Sequence, residues 1–336
     1  MIPGAGKTFQ YVRVESPADV PVPGPRILDV AILDMNFGYL NLGHDSLVQL
    51  IRQVGRELAH TLENSGLALR GISGHIDPNR NDGKADWSQE VSEDPAWEPA
   101  AQRLFAAILS EPDAAMLGIC HTFGVLCRWL GVATPTLRGP EKGGKSTGMQ
   151  WNVFTDAARA HPWFGRFAGE LGEGRRLLVR DSRLFDLIPG IGPLPPGMTA
   201  IGHESLPSGE RGDALTMLEL ARDRGGVMPR FFAVNHHPEV YDADMQRRLI
   251  EEKRAAGTVT PEWLAERIRI VTDMRDPTAT RELALCARLT LIDPLRFFLF
   301  RQVRLRHERL FGRSPVHEDQ ILTCATSEDQ SIAAVC

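Results

Sequence analysis

The sequence predicts an α/β protein with a mostly parallel central sheet, helices on both faces and a helical extension at the C-terminal end. Three observations carry that prediction. In the first half, short apolar runs alternate with segments whose apolar residues recur at helical spacing, the pattern of strand-helix-strand units. Those runs are bounded by Gly, Pro, Asp and Asn, the residues that turn a chain. After Tyr241 glycine becomes rare and charged residues alternate with apolar ones at a period near 3.6.

Residues 1–25 carry Pro3, Pro17, Pro21 and Pro23 with little periodicity and read as an irregular lead-in. Gly4-Ala5-Gly6-Lys7-Thr8 imitates the end of a phosphate-binding loop, but Met1 stands where that motif needs its first glycine, and no strand precedes it. Arg26 to Leu33 reads as a buried strand, and Leu47, Val48, Ile51, Val54 and Leu58 follow on one helical face. Leu67 to Ser73 is a second strand. It ends in Ser73-Gly74-His75 before a polar loop reaching about Trp87. A helix is expected over Trp97–Leu109, then a strand over Ala114–Ile119. Beyond Leu130 the strand candidates are Trp151–Phe154, Arg176–Val179, Met198–Gly202, Ala214–Ala221 and Phe231–Asn235. Ala243–Ala256, Pro261–Thr272, Thr278–Leu291 and Pro294–Phe311 read as helices, several opened by Thr, Asp or Pro. The expected organisation is a lead-in over 1–25, an α/β domain over 26–245, a helical extension over 246–312 and a frayed polar tail over 313–336.

Composition narrows the function. With 336 residues, 43% of them hydrophobic, the chain buries a core without staples. Its 38 basic and 43 acidic residues give a net charge of −5, which offers the phosphates of nucleic acid no attraction. The five cysteines lack paired zinc or redox spacing and read as reduced thiols, so neither a metal nor a cofactor is expected. No run of about 18 apolar residues and no basic-then-apolar leader is seen, so a cytoplasmic protein without a transmembrane segment is expected.

The chemistry concentrates at two strand ends. In Leu117-Gly118-Ile119-Cys120-His121-Thr122-Phe123-Gly124 an apolar strand runs into a cysteine and then into a helix marked by Phe123, Leu126, Trp129 and Leu130. Such an elbow strains the cysteine backbone and needs small neighbours, for which Gly118 and Gly124 qualify. It also sets the sulfur at a helix N-terminus, where the dipole favours thiolate. The strand Phe231-Phe232-Ala233-Val234-Asn235 stops at His236-His237-Pro238-Glu239. Pro238 keeps His237 extended, and residues two apart then face one side, so Glu239 orients the His237 ring while His236 points away. Cys120, His237 and Glu239 thus make a nucleophile, a base and an orienter. The backbone N–H of His121 and the turn at Gly74 are candidate oxyanion donors. A buried, inert Cys120 and a plain turn at Gly74 are the competing readings of those residues, and a metal site or a solvated turn is that of the paired histidines.

These motifs resemble the class I glutamine amidotransferase-like superfamily, in which a Gly-x-Cys elbow is followed much later by His-Pro-Glu. Gly118-Ile119-Cys120, His237-Pro238-Glu239 and the Ser73-Gly74 turn are similar to its elements in order and spacing, as is the stretch from Ser182-Arg183-Leu184-Phe185 to His203-Glu204-Ser205-Leu206-Pro207. The resemblance spans about residues 26–245. It implies a flavodoxin-like three-layer sandwich, a Cys120, His237, Glu239 triad and attack on a carboxamide or acyl carbon through a thioester. Thr122 and Gly124 stand where glutamine-using members place glycine and glutamine, and His121 adds a bulky side chain beside the nucleophile, which points away from glutamine itself. No synthetase domain is recognisable, so amidotransfer implies a separate synthetase subunit.

Two alternatives share these residues. One is an acyltransferase of the same fold, similar to homoserine acyltransferases, and the other is a non-catalytic binding or scaffold protein that has lost glutaminase activity. The stretch Leu295 to Phe311 mixes bulky apolar residues with five arginines. It suits a membrane surface less well than docking on the chain's own domain or a second copy, so a homo-oligomer through the C-terminal helices is expected.

Overall fold

A computed structural model describes residues 9–35, 42–75, 98–167, 169–171 and 175–312. The imitation phosphate loop, the polar loop to Trp87, Trp97 itself and the tail from 313 lie outside the described residues.

In chain order the first elements are β1 (Phe9–Arg13), β2 (Ile27–Asp34), α1 (Gly43–Glu57), α2 (Ala59–Asn64), β3 (Ala68–His75) and α3 (Glu98–Ser110). Next come β4 (Met116–Ile119), α4 (His121–Leu130), β5 (Ala133–Leu137), β6 (Ser146–Phe154) and α5 (Asp156–Ala160). The strands β7 (Arg176–Arg183), β8 (Phe185–Pro189), β9 (Thr199–Ser205), β10 (Arg211–Arg222) and β11 (Pro229–Val234) follow. The helices α6 (Ala243–Ala255), α7 (Pro261–Met274), α8 (Pro277–Ala287) and α9 (Asp293–Phe311) come last among the described residues.

The chain divides into two compact units. One draws on residues 1–34, 47–75 and 290–336. Its parallel sheet has the order β1-β3-β2, with Leu33 opposite Gly74. The lead-in, read as irregular, therefore contains a strand. Phe9 explains it: its ring covers Gly55 and Gly71, where an added Cβ would meet it at 3.0 and 3.4 Å. Across the sheet Arg70 donates to both oxygens of Asp29 at 2.6 and 3.1 Å. In α9, Phe297, Leu299, Phe300 and Val303 are buried and Arg296 pairs with Glu57 at 2.8 Å. Leu310 and Phe311 at the end of α9 stay exposed.

The other unit draws on residues 35–46 and 76–289. Its eight-stranded sheet has the path β4-β11-β10-β9-β6-β7, with β8 pairing β10 and β5. Only β4 and β11 run parallel, and every other pair is antiparallel. The expected mostly parallel sheet is thus corrected to a mixed one in a mixed α/β fold. Connection length is the reason, because a parallel crossover needs about a dozen residues or more. From β9 onward the strands are joined by tight turns instead. Leu206 N–H donates to Glu210 O across the β9-β10 turn, and the Asp223 carboxylate accepts from the N–H groups of Gly225, Val227 and Met228 before β11.

The helices after Tyr241 begin where their caps predict. Asp242, Thr260 and Asp276 each accept a hydrogen bond from a first-turn N–H. Helices α6–α8 belong to the same unit as the mixed sheet. Ile270, Met274, Ala279 and Leu283 pack with Leu178 of β7, and Met245, Leu249, Ile250 and Val271 with Leu42. A π-type turn, Arg288–Ile292, separates α8 from α9 where Pro294 lacks an N–H. The buried Trp163 ring donates to Leu289 O in that turn at 2.9 Å.

Candidate active site

The site begins with one parallel pair. β4 and β11 lie in register with Ile119 opposite Val234, and Cys120 N–H donates to Val234 O at 2.8 Å. Both strands stop there, so the chain leaves two adjacent carboxyl ends carrying Cys120 and His236-His237. All of β11 is buried, Arg230 included, as the apolar run Phe231–Val234 requires.

Cys120 turns the chain from β4 into α4 with φ 50° and ψ −102°, a conformation that costs a non-glycine residue on the order of 1–3 kcal/mol. Two glycines were expected to relieve the elbow, and one does. A Cβ on Gly118 would stand 2.9 Å from Leu126 and 3.3 Å from Thr122. One on Gly124 would meet nothing nearer than Leu187 at 3.9 Å. Cys120 is half-buried, and its sulfur sits 3.9 Å from Ser182 O. His121 occupies the first position of α4, where backbone N–H groups point out of the helix end. Gly74 lies in β3 of the other unit, opposite Leu33, and the site described here is built from the mixed-sheet unit alone.

The adjacent histidines diverge. His237 N–H is held by Arg180 O at 2.8 Å, and its Nδ1 lies 2.8 Å from Glu239 Oε1. Burial works against the imidazolium, yet the Glu239 carboxylate, the Cys120 sulfur and hydrogen bonding to both push the His237 pKa up to about 10. His236 turns into the core, with Nε2 3.3 Å from the Cys286 sulfur. Burial, then the charges of His237 and Arg183, push its pKa down to about 3. A shared metal between the two rings does not fit this divergence. Among the described residues no group of three or more His, Cys, Asp or Glu is arranged to hold one.

The stretch that carries Ser182 also holds a network of ions. Asp186 accepts from Arg138 at 2.6 and 2.9 Å and from Lys142 at 3.0 Å, and Arg183 bonds Glu204 at 2.9 Å. Despite burial, the Arg183, Arg138 and Lys142 charges hold the Asp186 carboxyl below its ordinary range. Arg183 and Glu204, marked in the sequence by resemblance alone, are therefore structural partners.

His237 also opens into a recess with about 60 Å³ of room for water-sized molecules, lined among others by Arg180, Ser182, Gln246 and Arg267. Sequence reasoning missed Arg180, Gln246 and Arg267. Arg180 follows the strand expected over Arg176–Val179, and β7 continues past it through Arg183 and buries it. Gln246 and Arg267 stand on helices read as a separate extension.

Neither a family model nor a curated protein sequence matches the chain. Among solved structures, the chain is similar to a glutamine amidotransferase from Thermotoga maritima determined at 1.70 Å resolution. The identity is 15%, over 82% of this chain and 98% of that one, with a TM-score of 0.43. Among the described residues, no helix is long and apolar enough to cross a membrane.

Proposed function

We propose that this chain is a cysteine-dependent amide hydrolase or amidotransferase of the class I glutamine amidotransferase-like kind, working through a thioester on Cys120. The observation that carries the reading is the strained Cys120 at a strand-helix elbow beside a histidine whose Nδ1 is already held by Glu239. Strain of this size persists where the surroundings over-determine it, which is the signature of a positioned nucleophile.

In the proposed cycle the proton that His237 carries on Nε2, the nitrogen that Glu239 leaves available, is the one the Cys120 thiol has given up, so attack starts from a thiolate beside an imidazolium. The thiolate attacks the carbonyl carbon, and the developing oxyanion is met by the His121 N–H. The C–N bond breaks as His237 returns its proton to the leaving nitrogen, giving a thioester and an amine or ammonia. Water, or an acceptor alcohol or amine, then attacks the thioester, His237 takes its proton, and the thiol is restored. An added acceptor that competes with water marks the acyltransferase variant. Ammonia passed to a separate synthetase subunit marks the amidotransferase variant.

Ammonia release from glutamine and from other small carboxamides tests the proposal, with Cys120→Ala as control. Turnover that depends on Cys120 supports it. Full turnover in Cys120→Ala, or no turnover of any amide or ester by the folded wild type, leaves the scaffold reading in its place.

A further inference from the structure

Resting on that reading, we propose that Arg180 and Arg267 form a carboxylate-binding subsite beside His237, so that the substrate is an amide or ester that also carries a carboxylate. Arg180 is only 4% exposed, and its guanidinium makes one long bond, donating to Gly148 O at 3.4 Å, while its Nε has no partner. Arg267 faces the same recess, with its nearest carboxylate, Glu266, 3.7 Å away. A buried guanidinium left so poorly bonded is costly, and an anion bound there would offset that cost.

The carboxylates that might neutralise the pair each bond elsewhere through one oxygen, and the buried Asp181 Oδ1 and Glu239 Oε2, which have no hydrogen-bond partner, bond neither arginine. Glu239 holds His237 at 2.8 Å, Asp181 accepts from Ser146 at 2.6 Å and lies 3.3 Å from Arg183, and Glu266 accepts from Thr147 at 3.5 Å. Burial first, and then the charge of Arg267, push the Arg180 pKa down to about 10 against the opposing pull of Asp181, Glu266 and Glu239. Gln246 adds polarity from α6: it is fully buried, its Nε2 donates to Ser46 at 2.8 Å, and its Oε1 has no partner.

The shape selects the ligand. Room of about 60 Å³ is several times the ~10–15 Å³ that one water needs, enough for a planar carboxylate but little more. The remaining wall is Leu42, Val240, Ile270, Val271 and Met274, which suits the short apolar spacer of a small acid. Guanidinium forks match carboxylate oxygens in pairs.

The test follows alkylation of Cys120 by iodoacetamide, read by peptide mass, with glutarate, neutral glutaramide or inorganic phosphate present. Glutarate is expected to slow labelling in a saturable way and glutaramide is not. Arg267→Gln is expected to raise the glutarate concentration needed about tenfold, with Arg267→Lys in between. Equal protection by phosphate, or protection unchanged in both Arg267→Gln and Arg180→Lys, overturns the assignment. If Cys120 resists labelling altogether, the proposed chemistry is what fails, and the subsite is read by melting temperature instead. Glutarate must then stabilise the wild type and not Arg267→Gln, and equal shifts in both overturn the subsite.

Discussion

Two of the histidine-carboxylate pairs in the mixed-sheet unit, His161 with Glu219 and His237 with Glu239, differ in one respect. His161 Nε2 lies 2.6 Å from Glu219 Oε2, while its Nδ1 accepts the Trp163 N–H at 3.0 Å. Because Nδ1 accepts, the proton is on Nε2, and both nitrogens are spent. Both side chains of the pair are fully buried, and Arg222 covers the other Glu219 oxygen at 2.8 Å. His237 uses Nδ1 on Glu239 in the same way, but its ring keeps contact with Cys120 and the recess. A carboxylate beside a histidine thus makes a strut when the second nitrogen caps a turn, and a candidate base when that nitrogen is left to a thiol.

That contrast breaks most readily through activity. Cys120→Ala or His237→Asn should lower turnover about 10⁴-fold while the protein still melts as a folded chain, and Glu239→Gln about 10³-fold. His161→Ala should do the reverse, costing about 3 kcal/mol of stability with turnover per folded molecule unchanged. If His161→Ala abolished turnover in protein that remained folded, the two pairs would not differ in kind.

The next effect is on the pH dependence of stability. His237, raised from 6.5 to about 10, holds a proton in the folded chain that the unfolded chain has lost between those values. Its contribution is complete below pH 6.5 and drains away as pH climbs toward 10. His236, lowered to about 3, acts oppositely, because below pH 6.5 the unfolded chain takes up a proton that the folded one refuses. Melting temperature against pH should therefore fall on both sides, and Glu239→Gln should flatten only the alkaline limb. A flattened acid limb in that variant would contradict the division of labour between the neighbours.

The smallest effects concern the elbow. Gly118→Ala forces Leu126 and Thr122 to move and should cost about 1–3 kcal/mol, whereas Gly124→Ala, inside α4 with open space, should gain up to about 1 kcal/mol. Chemical denaturation of both variants checks the pair. Equal losses would mean that the elbow tightens around both glycines.

The elbow at Cys120 and the contact of Glu239 with the His237 ring were legible because each rests on local geometry: a strand end, a proline that keeps the chain extended, and the two-residue period of extended backbone. The caps at Asp242, Thr260 and Asp276 were legible for the same reason. The antiparallel pairing was not, because short apolar strands read alike in either direction and only the turns at 206–210 and 223–228 decide. β5 and β8 are five residues each and pair mainly with one another, too short for a periodic signal. Arg180 and Arg267 were hidden for another reason. A charged residue reads as solvated in sequence, and only the packing of α7 against β7 buries both beside His237.

The central claim is that Cys120 forms a covalent intermediate with help from His237. Acid quenching of the enzyme during turnover of a carboxamide or ester, followed by peptide mass analysis, reads it directly. The expected result is a substrate acyl group on the Cys120 peptide that hydroxylamine removes and that His237→Asn does not accumulate. Turnover with no acyl group on Cys120, or with the group on Cys127 instead, would contradict it.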